Sequence, residues 1–453
     1  MLEPLYTAAE MRAAEERYPG TVEELMDRAG RSVAAEIMSR FPDARRVVGI
    51  CGRGANGGDG RIALQALREA GIEAEESTEL EGADVVVDAL FGTGFHGEPR
   101  ADAARLIEGL NGSGIPVVSV DIPSGVDAST GEVPGAAVHA ALTVTFHGRK
   151  VGLEVAPGRF HAGEIVVADI GLEQLETEHA RATDTILSIV PRRRPGDTKY
   201  TAGHVVVVGG SPGMTGAPCL TAVAAFRADA GYVTLAGPSS ALPVFESWVL
   251  EAVKRPLQED NGLLAEASAD GVFELAENAG ALAIGPGLGR SDGTRALVRR
   301  VVSEAELPVV VDGDALWELE PAEWPAPRVL TPHSGELARL LGVESAWVDA
   351  HRLEALRAAV ERFRCVVLLK GEGTLVAEPG SGAIVCGGAA RLATAGTGDV
   401  LTGIVASFLA KGVEPLLATA AASTAHTKAA GLSPQVAGFV ASDLLDTLPD
   451  ALG

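Results

Sequence analysis

The chain has 453 residues, with 37 lysines and arginines against 61 aspartates and glutamates, a formal net charge of −24. The charge is spread without a basic block that could follow a phosphate backbone, which argues against nucleic acid as a partner. Apolar residues make up 47% of the chain, with 55 glycines and only 4% aromatics, a mixture suited to Val/Ile/Ala-rich parallel strands joined by glycine turns.

Thr7 with Glu10, and Thr21 with Glu24, have capping-box spacing and predict two helices ahead of the first strand. Strand-like and helical runs then alternate: "RRVVGI", a helix over 59–70, "ADVVVDALF", "ADAARLIEGLNGSG", "IPVVSVDI", "ALTVTF" and "EIVVADIGL". This βαβ rhythm implies a parallel sheet with its ligands at the carboxyl ends of the strands. Around 172–185 the chain turns polar, and a fresh buried strand, "HVVVVGG", opens a second α/β pattern. The expected domains are therefore 1–175 and 185–453. Cys51, Cys219, Cys365 and Cys386 are too widely spaced for a C-x-x-C motif and are expected as reduced thiols. No run reaches the ~18 apolar residues of a membrane span, and the N-terminal segment lacks a signal core, so a cytoplasmic protein without a membrane partner is expected.

Gly52, Gly54 and Gly57 in "CGRGANGGDG" satisfy the dinucleotide spacing G-x-G-x-x-G. Glu73, Glu75 and Glu76 lie near the position of a ribose-binding acid, but no convincing strand precedes them. A tight turn, a phosphate cradle and a dehydrogenase loop all remain open on the loop alone. Asp88 and Asp121 each end an apolar strand and lead into a glycine-rich turn. Asn56, Asp88 and Ser124 offer oxygen ligands only, which suits a hard cation better than zinc; singly, each is also a common turn-former or cap.

In the second half, "ATAGTGDVLTG" places Asp399 at a helix start. The N–H groups of Gly396, Thr397 and Gly398 would face an anion there, with the carboxylate beside a transferring phosphoryl group as base. "KGEGT" at 370–374 and "GPGLG" at 285–289 let the backbone approach a ligand closely, and His333 stands at a strand end before a helix. No G-x-x-x-x-G-K-[ST] is present.

"GANGGDG", "DALFGTG" and "DIPSGVDASTG", in this order, resemble the NAD(P)H-hydrate epimerase domain. Ala55 stands where that family has asparagine. "GHVVVVGGSPGMTGAP", "GPGLG", "LTPHSGE", "LKGEGT" and "GTGDVLTG" resemble the ribokinase-like ADP/ATP-dependent NAD(P)H-hydrate dehydratase, although "CGGAARLATAGTGD" lacks that family's Asn-Pro-rich approach. The resemblance implies an α/β chain, with a Rossmann-like three-layer domain followed by a ribokinase-like three-layer domain.

By that resemblance Asn56, Asp88 and Ser124 hold K⁺. Ala55, Asn56, Gly57, Gly58, Asp59 and Gly60, the loop Gly92, Thr93, Gly94, Phe95, His96, Gly97 and Glu98, and Asp121, also assigned a catalytic part, hold the hydrated dinucleotide. Ala217, Gly287, His333 and Asp399 contact the hydrate in the second domain, with Asp399 catalytic, and Lys370, Gly371, Glu372, Gly373, Thr374 and Gly398 contact the adenine nucleotide. The implied activity is epimerisation of R and S NAD(P)H hydrate followed by dehydration of the S epimer with ADP or ATP and Mg²⁺, in a homo-oligomer acting on small molecules. The alternative is a ribokinase-like small-molecule kinase with a non-catalytic nucleotide-binding N-terminal domain.

Overall fold

Both capping boxes form in the computed structural model, which describes all residues from Met1 to Gly453. Thr7 and Glu10 cap the helix Ala8–Glu16, and Thr21 and Glu24 cap Val22–Arg40, each by reciprocal side-chain and backbone bonds. A strand, Leu2–Leu5, precedes them, so the expectation of two helices before any strand is corrected. Only Leu5 of that strand is fully buried, and so short a segment carries no readable alternation. The chain divides into two compact units: Pro4–Arg181 with Asp349–His351, and Met1–Glu3 with Ala182–Val348 and Arg352–Gly453.

The smaller unit holds a six-stranded parallel sheet in the order Glu73–Glu76, Arg46–Cys51, Val85–Ala89, Val117–Val120, Leu142–Phe146, Glu164–Ala168. Alternate residues feed two cores. Val85 and Val87 pack with Val33, Ile37 and Leu64, whereas Val86 packs with Ile107 and Leu110. Helices on both faces of a parallel sheet make this a three-layer arrangement. The strand Glu73–Glu76 corrects the sequence reading at that point. It is an edge strand with one buried residue, Ala74, and its three glutamates hide it from any apolar pattern. Glu75 pairs with Arg46 at 2.7 Å and Glu76 with Arg61 at 2.8 Å, so these acids are engaged in surface ion pairs.

The larger unit is built on a mixed, mainly parallel sheet. Five neighbouring pairings join Tyr232–Pro238, His204–Val208, Ala281–Ile284, Val309–Val311, Arg328–Leu330 and Val366–Leu369 in parallel. Leu375–Ala377 and Ile384–Val385 continue the sheet antiparallel. The polar stretch after 172 contains a strand, His179–Ala182, that its composition conceals. The helix Thr397–Ala410 and the Ala-rich helix Pro415–Leu432 are buried along most of their length. All four cysteines are free. No helix is long and apolar enough to cross a membrane.

Candidate active sites

In the smaller unit, the glycine loop enters the helix Ala55–Glu69 directly, with Gly54 at its N-cap. Gly57 is required by contact: a Cβ there would stand 2.0 Å from the Gly52 carbonyl oxygen. The helix start therefore lies hard against the carboxyl end of the strand Arg46–Cys51. Asn56 donates from Nδ2 to the Phe91 carbonyl at 2.7 Å, which leaves its Oδ1 available. Gly92 packs so closely on Asn56 that a Cβ would come within 2.9 Å of the asparagine Cβ. The loop of residues 92–98 is shaped by the stacking of Phe91 on Phe95, centroids 4.5 Å apart, and by His96 Nδ1 at 2.8 Å from Asp127 Oδ2. Gly97 has φ of +76°, and nothing crowds Gly94.

Asp88 is fully buried at the end of Val85–Ala89. Its carboxylate accepts from Ser124 Oγ at 2.6 Å, Ser124 N at 2.9 Å and Ser119 Oγ at 2.8 Å. Burial pushes its pKa up, and these hydrogen bonds pull against that shift. Ser124 Oγ also accepts from Phe91 N at 2.9 Å. Asn56, Phe91, Ser124 and Asp88 are thus linked in one chain of contacts offering only oxygen ligands. A buried carboxylate with no side-chain cation among the groups acting on it fits a monovalent or divalent hard cation.

Asp121 stands at the carboxyl end of Val117–Val120 with φ of +66°, a left-handed conformation uncommon for a side-chain-bearing residue. Its Oδ1 accepts from Lys150 Nζ at 2.5 Å, Thr145 Oγ1 at 3.1 Å and Phe146 N at 3.2 Å. Lys150 is fully buried and completes its donor set with Thr145 Oγ1 at 2.9 Å and the Phe146 carbonyl at 2.8 Å. Sequence reading missed Lys150, because a lysine in a polar loop reads as exposed. Asp59, on the first turns of Ala55–Glu69, is buried. Burial first, then the negative charges of Asp121 and Glu15, push its pKa up to about 8.

In the larger unit, the helix Thr397–Ala410 begins at Gly396, whose φ of +90° only glycine takes without strain. Lys370 Nζ approaches this start: a Cβ on Gly398 would be 3.3 Å from it. Lys370 Nζ donates to Asp312 Oδ1 at 2.8 Å and lies 3.7 Å from Glu336. Asp312 also accepts from Thr331 Oγ1 and Thr402 Oγ1, both at 2.8 Å. Burial alone would raise the Asp312 pKa, but Lys370 and the two threonine hydroxyls outweigh it and hold the pKa low. Burial likewise opposes the Lys370 ammonium, and Asp312 and Glu336 overcome it and raise its pKa. Asp399 is pushed up to about 7, by burial first and then by Asp312, with Lys370 pulling the other way.

The other expected residues gather around this point. Thr221 Oγ1 donates to the carbonyls of Ala217, at 3.1 Å, and Asp399, at 3.0 Å. Gly287 has φ of +59°, and a Cβ there would meet the Met214 carbonyl oxygen at 2.2 Å. His333 caps the helix Ser334–Leu341, its Nδ1 accepting from Gly335 N at 3.0 Å and Glu336 N at 3.3 Å. An accepting Nδ1 leaves the proton on Nε2, and burial keeps the imidazole pKa low. The loop of residues 370–374 turns through Gly371, φ +141°, and Gly373, φ +65°. Thr374 Oγ1 donates to the Gly371 carbonyl at 3.1 Å. A cavity of about 240 Å³ lies between this loop, Glu372 included, and Thr397, Gly398 and Leu401. Asp312 and Glu336 were missed from sequence. Asp312 ends "PVVVD", the same strand-end aspartate pattern that marks Asp88 and Asp121, so a signal was there. Glu336 reads only as a capping residue.

Two α/β units with parallel sheets, the second with a lysine and a carboxyl group at a glycine-rich helix start, define a nucleotide-handling enzyme whose larger unit is ribokinase-like. The NAD(P)H-hydrate dehydratase family matches residues 205–450, and the family described as YjeF-related protein N-terminus matches 22–78 and 72–152. The bifunctional NAD(P)H-hydrate repair enzyme of Salinibacter ruber is 36% identical, covering 98% of this chain and 95% of its own. That of Moorella thermoacetica is also 36% identical, over 99% and 96%. The crystal structure of the Bacillus subtilis ADP/ATP-dependent NAD(P)H-hydrate dehydratase, co-crystallised with ATP/Mg²⁺, aligns with a TM-score of 0.53 at 27% identity, over 59% of this chain and 96% of that one. The chain belongs to the bifunctional NAD(P)H-hydrate repair enzymes. These relatives span both units, and the alternative of a small-molecule kinase with a non-catalytic N-terminal domain is set aside.

Proposed function

We propose that the smaller unit interconverts the R and S epimers of NAD(P)H hydrate and that the larger unit dehydrates the S epimer at the expense of ADP or ATP. The observation carrying the second half is Asp399, titrating near 7 at the helix start beside Gly398 and Lys370. A base whose pKa matches the working pH is half-ionised, and its proton affinity is well suited to a hydroxyl losing its proton in the transition state. Asp399 takes the proton of the substrate hydroxyl as that oxygen bonds to the terminal phosphorus of the nucleotide. The shortened nucleotide leaves. Phosphate then departs with the C–O electron pair, the neighbouring ring carbon loses its proton to solvent, the C–H pair becomes the C=C bond, and NAD(P)H is restored.

Lys370 and the N–H groups of Thr397 and Gly398 hold the phosphoryl oxygens, with the helix dipole in their favour. The 370–374 loop and the cavity behind it seat the rest of the nucleotide. Ala217, Gly287 and His333 position the hydrate, His333 offering Nε2–H. Mg²⁺ offsets phosphate charge and arrives on the nucleotide itself, as that ion commonly does. In the smaller unit, Asn56, Ser124 and Asp88 with the Phe91 carbonyl would hold K⁺, fixing the loop of residues 92–98 over the dinucleotide. The backbone of residues 55–60 and Asp121 complete that cradle.

The protein is read as cytoplasmic and homo-oligomeric, which light scattering on the purified chain tests for mass. The activity is tested by incubating it with mixed hydrate epimers and each nucleotide while following absorbance of the reduced nicotinamide. Full recovery of both epimers is expected. Recovery of none, or a stable phosphomonoester as end product, overturns the reading.

A further inference from the structure

Asp59 and Asp121 are two carboxyl groups of one site with opposite surroundings. Asp121 is ion-paired to buried Lys150, and all three of its hydrogen bonds land on Oδ1, so Oδ2 faces away from the protein's own donors. Asp59 has no such partner. Its Oδ1 is enclosed without a hydrogen bond, and the charged groups acting on it, Asp121 and Glu15, are both acidic. Its position is fixed by packing: a Cβ on Gly30, in the helix Val22–Arg40, would come within 2.6 Å of the Asp59 carbonyl oxygen. Buried carboxyl groups are nearly always hydrogen-bonded, and one left without a partner calls for an explanation. A proton held there and given to a ligand is such an explanation, because pairs of acids pushed apart by their surroundings are how one site keeps an acid and a base together.

We infer that Asp59 is the proton donor of the epimerising unit and that the free oxygen of Asp121 is its proton acceptor. This rests on the reading of that unit as an epimerase. The hydrated ring carbon carries a hydroxyl and is bonded to the ring nitrogen. Asp59 protonates the hydroxyl, the C–O bond breaks with its electron pair leaving as water, and the nitrogen lone pair forms a C=N⁺ bond. Water adds to the opposite face of that carbon, the C=N⁺ π electrons return to nitrogen, and the water's extra proton goes to Asp121. One proton is given and one taken, and water lost equals water gained. A proton must then pass from Asp121 back to Asp59, through solvent or directly, before the next turnover. Lys150 is a positioning residue, holding Asp121 in its left-handed conformation with Oδ2 toward the ligand.

The test uses the full chain and the purified R epimer of NADH hydrate without nucleotide, so that only epimerisation is read. Asp59→Asn keeps the shape and removes the acid; the rate of S-epimer formation should fall by about 10²–10⁴, and Asp59→Glu should recover part of it. Dehydration of the S epimer with ADP should stay at the parent rate. The unsubstituted protein gives a second readout that needs no variant. Asp59 must carry its proton to act, so epimerisation should decline as pH rises through about 8 and that decline should vanish in Asp59→Asn. An Asn variant within threefold of the parent rate, or a parent profile flat from pH 6 to 9, overturns the inference. A parent chain that never converts R to S overturns the epimerase reading itself.

Discussion

Lys370 Nζ donates to Asp312 Oδ1 at 2.8 Å, and after burial these two are the groups that act most on Asp399. Asp312 raises the Asp399 pKa and Lys370 lowers it. The base works when ionised, so the dehydration rate should rise with pH through about 7. Asp312→Asn removes the strongest of the negative neighbours of Asp399 and leaves Lys370, now paired only with Glu336, to act on it. The rising limb of the pH–rate profile should then move to lower pH by about one unit or more. A limb that stays in place, measured on kcat at saturating hydrate and ADP, would show that the titrating base is not Asp399.

Asp399 itself is the only titratable group within the run of small residues at the helix start. Asp399→Asn preserves shape and removes basicity. Dehydration should fall by about 10²–10⁴, equivalent to roughly 3–5.5 kcal/mol of barrier. Nucleotide binding, read by calorimetry, should persist, and epimerisation should be normal. A dehydration rate within about threefold of the parent's would reduce Asp399 to an acidic residue complementing the helix dipole.

How much of this was legible in the sequence depends on how far each residue acts through its own neighbours in the chain. Asp88, Asp121 and Asp399 announce themselves, since each ends an apolar run or starts a helix beside glycines. Asp312 obeys the same rule and was readable in "PVVVD". Lys150 was not, because its burial against Thr145 and Phe146 is a product of tertiary packing around the strand Leu142–Phe146. The pair Asp59 and Asp121 lies 62 positions apart in the chain, and no local pattern joins them. The strand Glu73–Glu76 escaped for a different reason: an edge strand buries one residue in two at most, and here its exposed positions are all glutamate. Alternation carries fold class, and it fails at edges.

Because Asn56, Asp88 and Ser124 offer oxygen ligands only, epimerisation should respond to potassium and be indifferent to zinc chelators. Asp88→Ala removes the acceptor of four hydrogen bonds, from Ser119 Oγ, Ser124 N, Ser124 Oγ and Leu90 N. Hydrogen bonds to charged groups contribute about 1.5–3 kcal/mol each, so this variant should melt earlier in its N-terminal unit as well as lose epimerase activity. Asn56→Ala separates the two effects, since it removes one ligand oxygen and a single bond to Phe91. It should raise the potassium concentration needed for half-maximal epimerisation while sparing dehydration. An epimerase rate unchanged in potassium-free buffer would remove the cation from the account.

The two units should be separable in function, and the larger one should stand alone. The Bacillus subtilis dehydratase matches 59% of this chain with 96% of its own length, so a chain of about this unit's size folds without an N-terminal partner. A fragment of residues 185–453 keeps every strand from His204–Val208 to Ile384–Val385. The residues around Asp399, Asp312 and Lys370 all remain. The fragment should therefore dehydrate the S epimer with ADP or ATP at close to the parent rate and leave the R epimer untouched until the full chain is added. If it consumes R and S at equal rates, the division of labour between the units is wrong, whatever its stability.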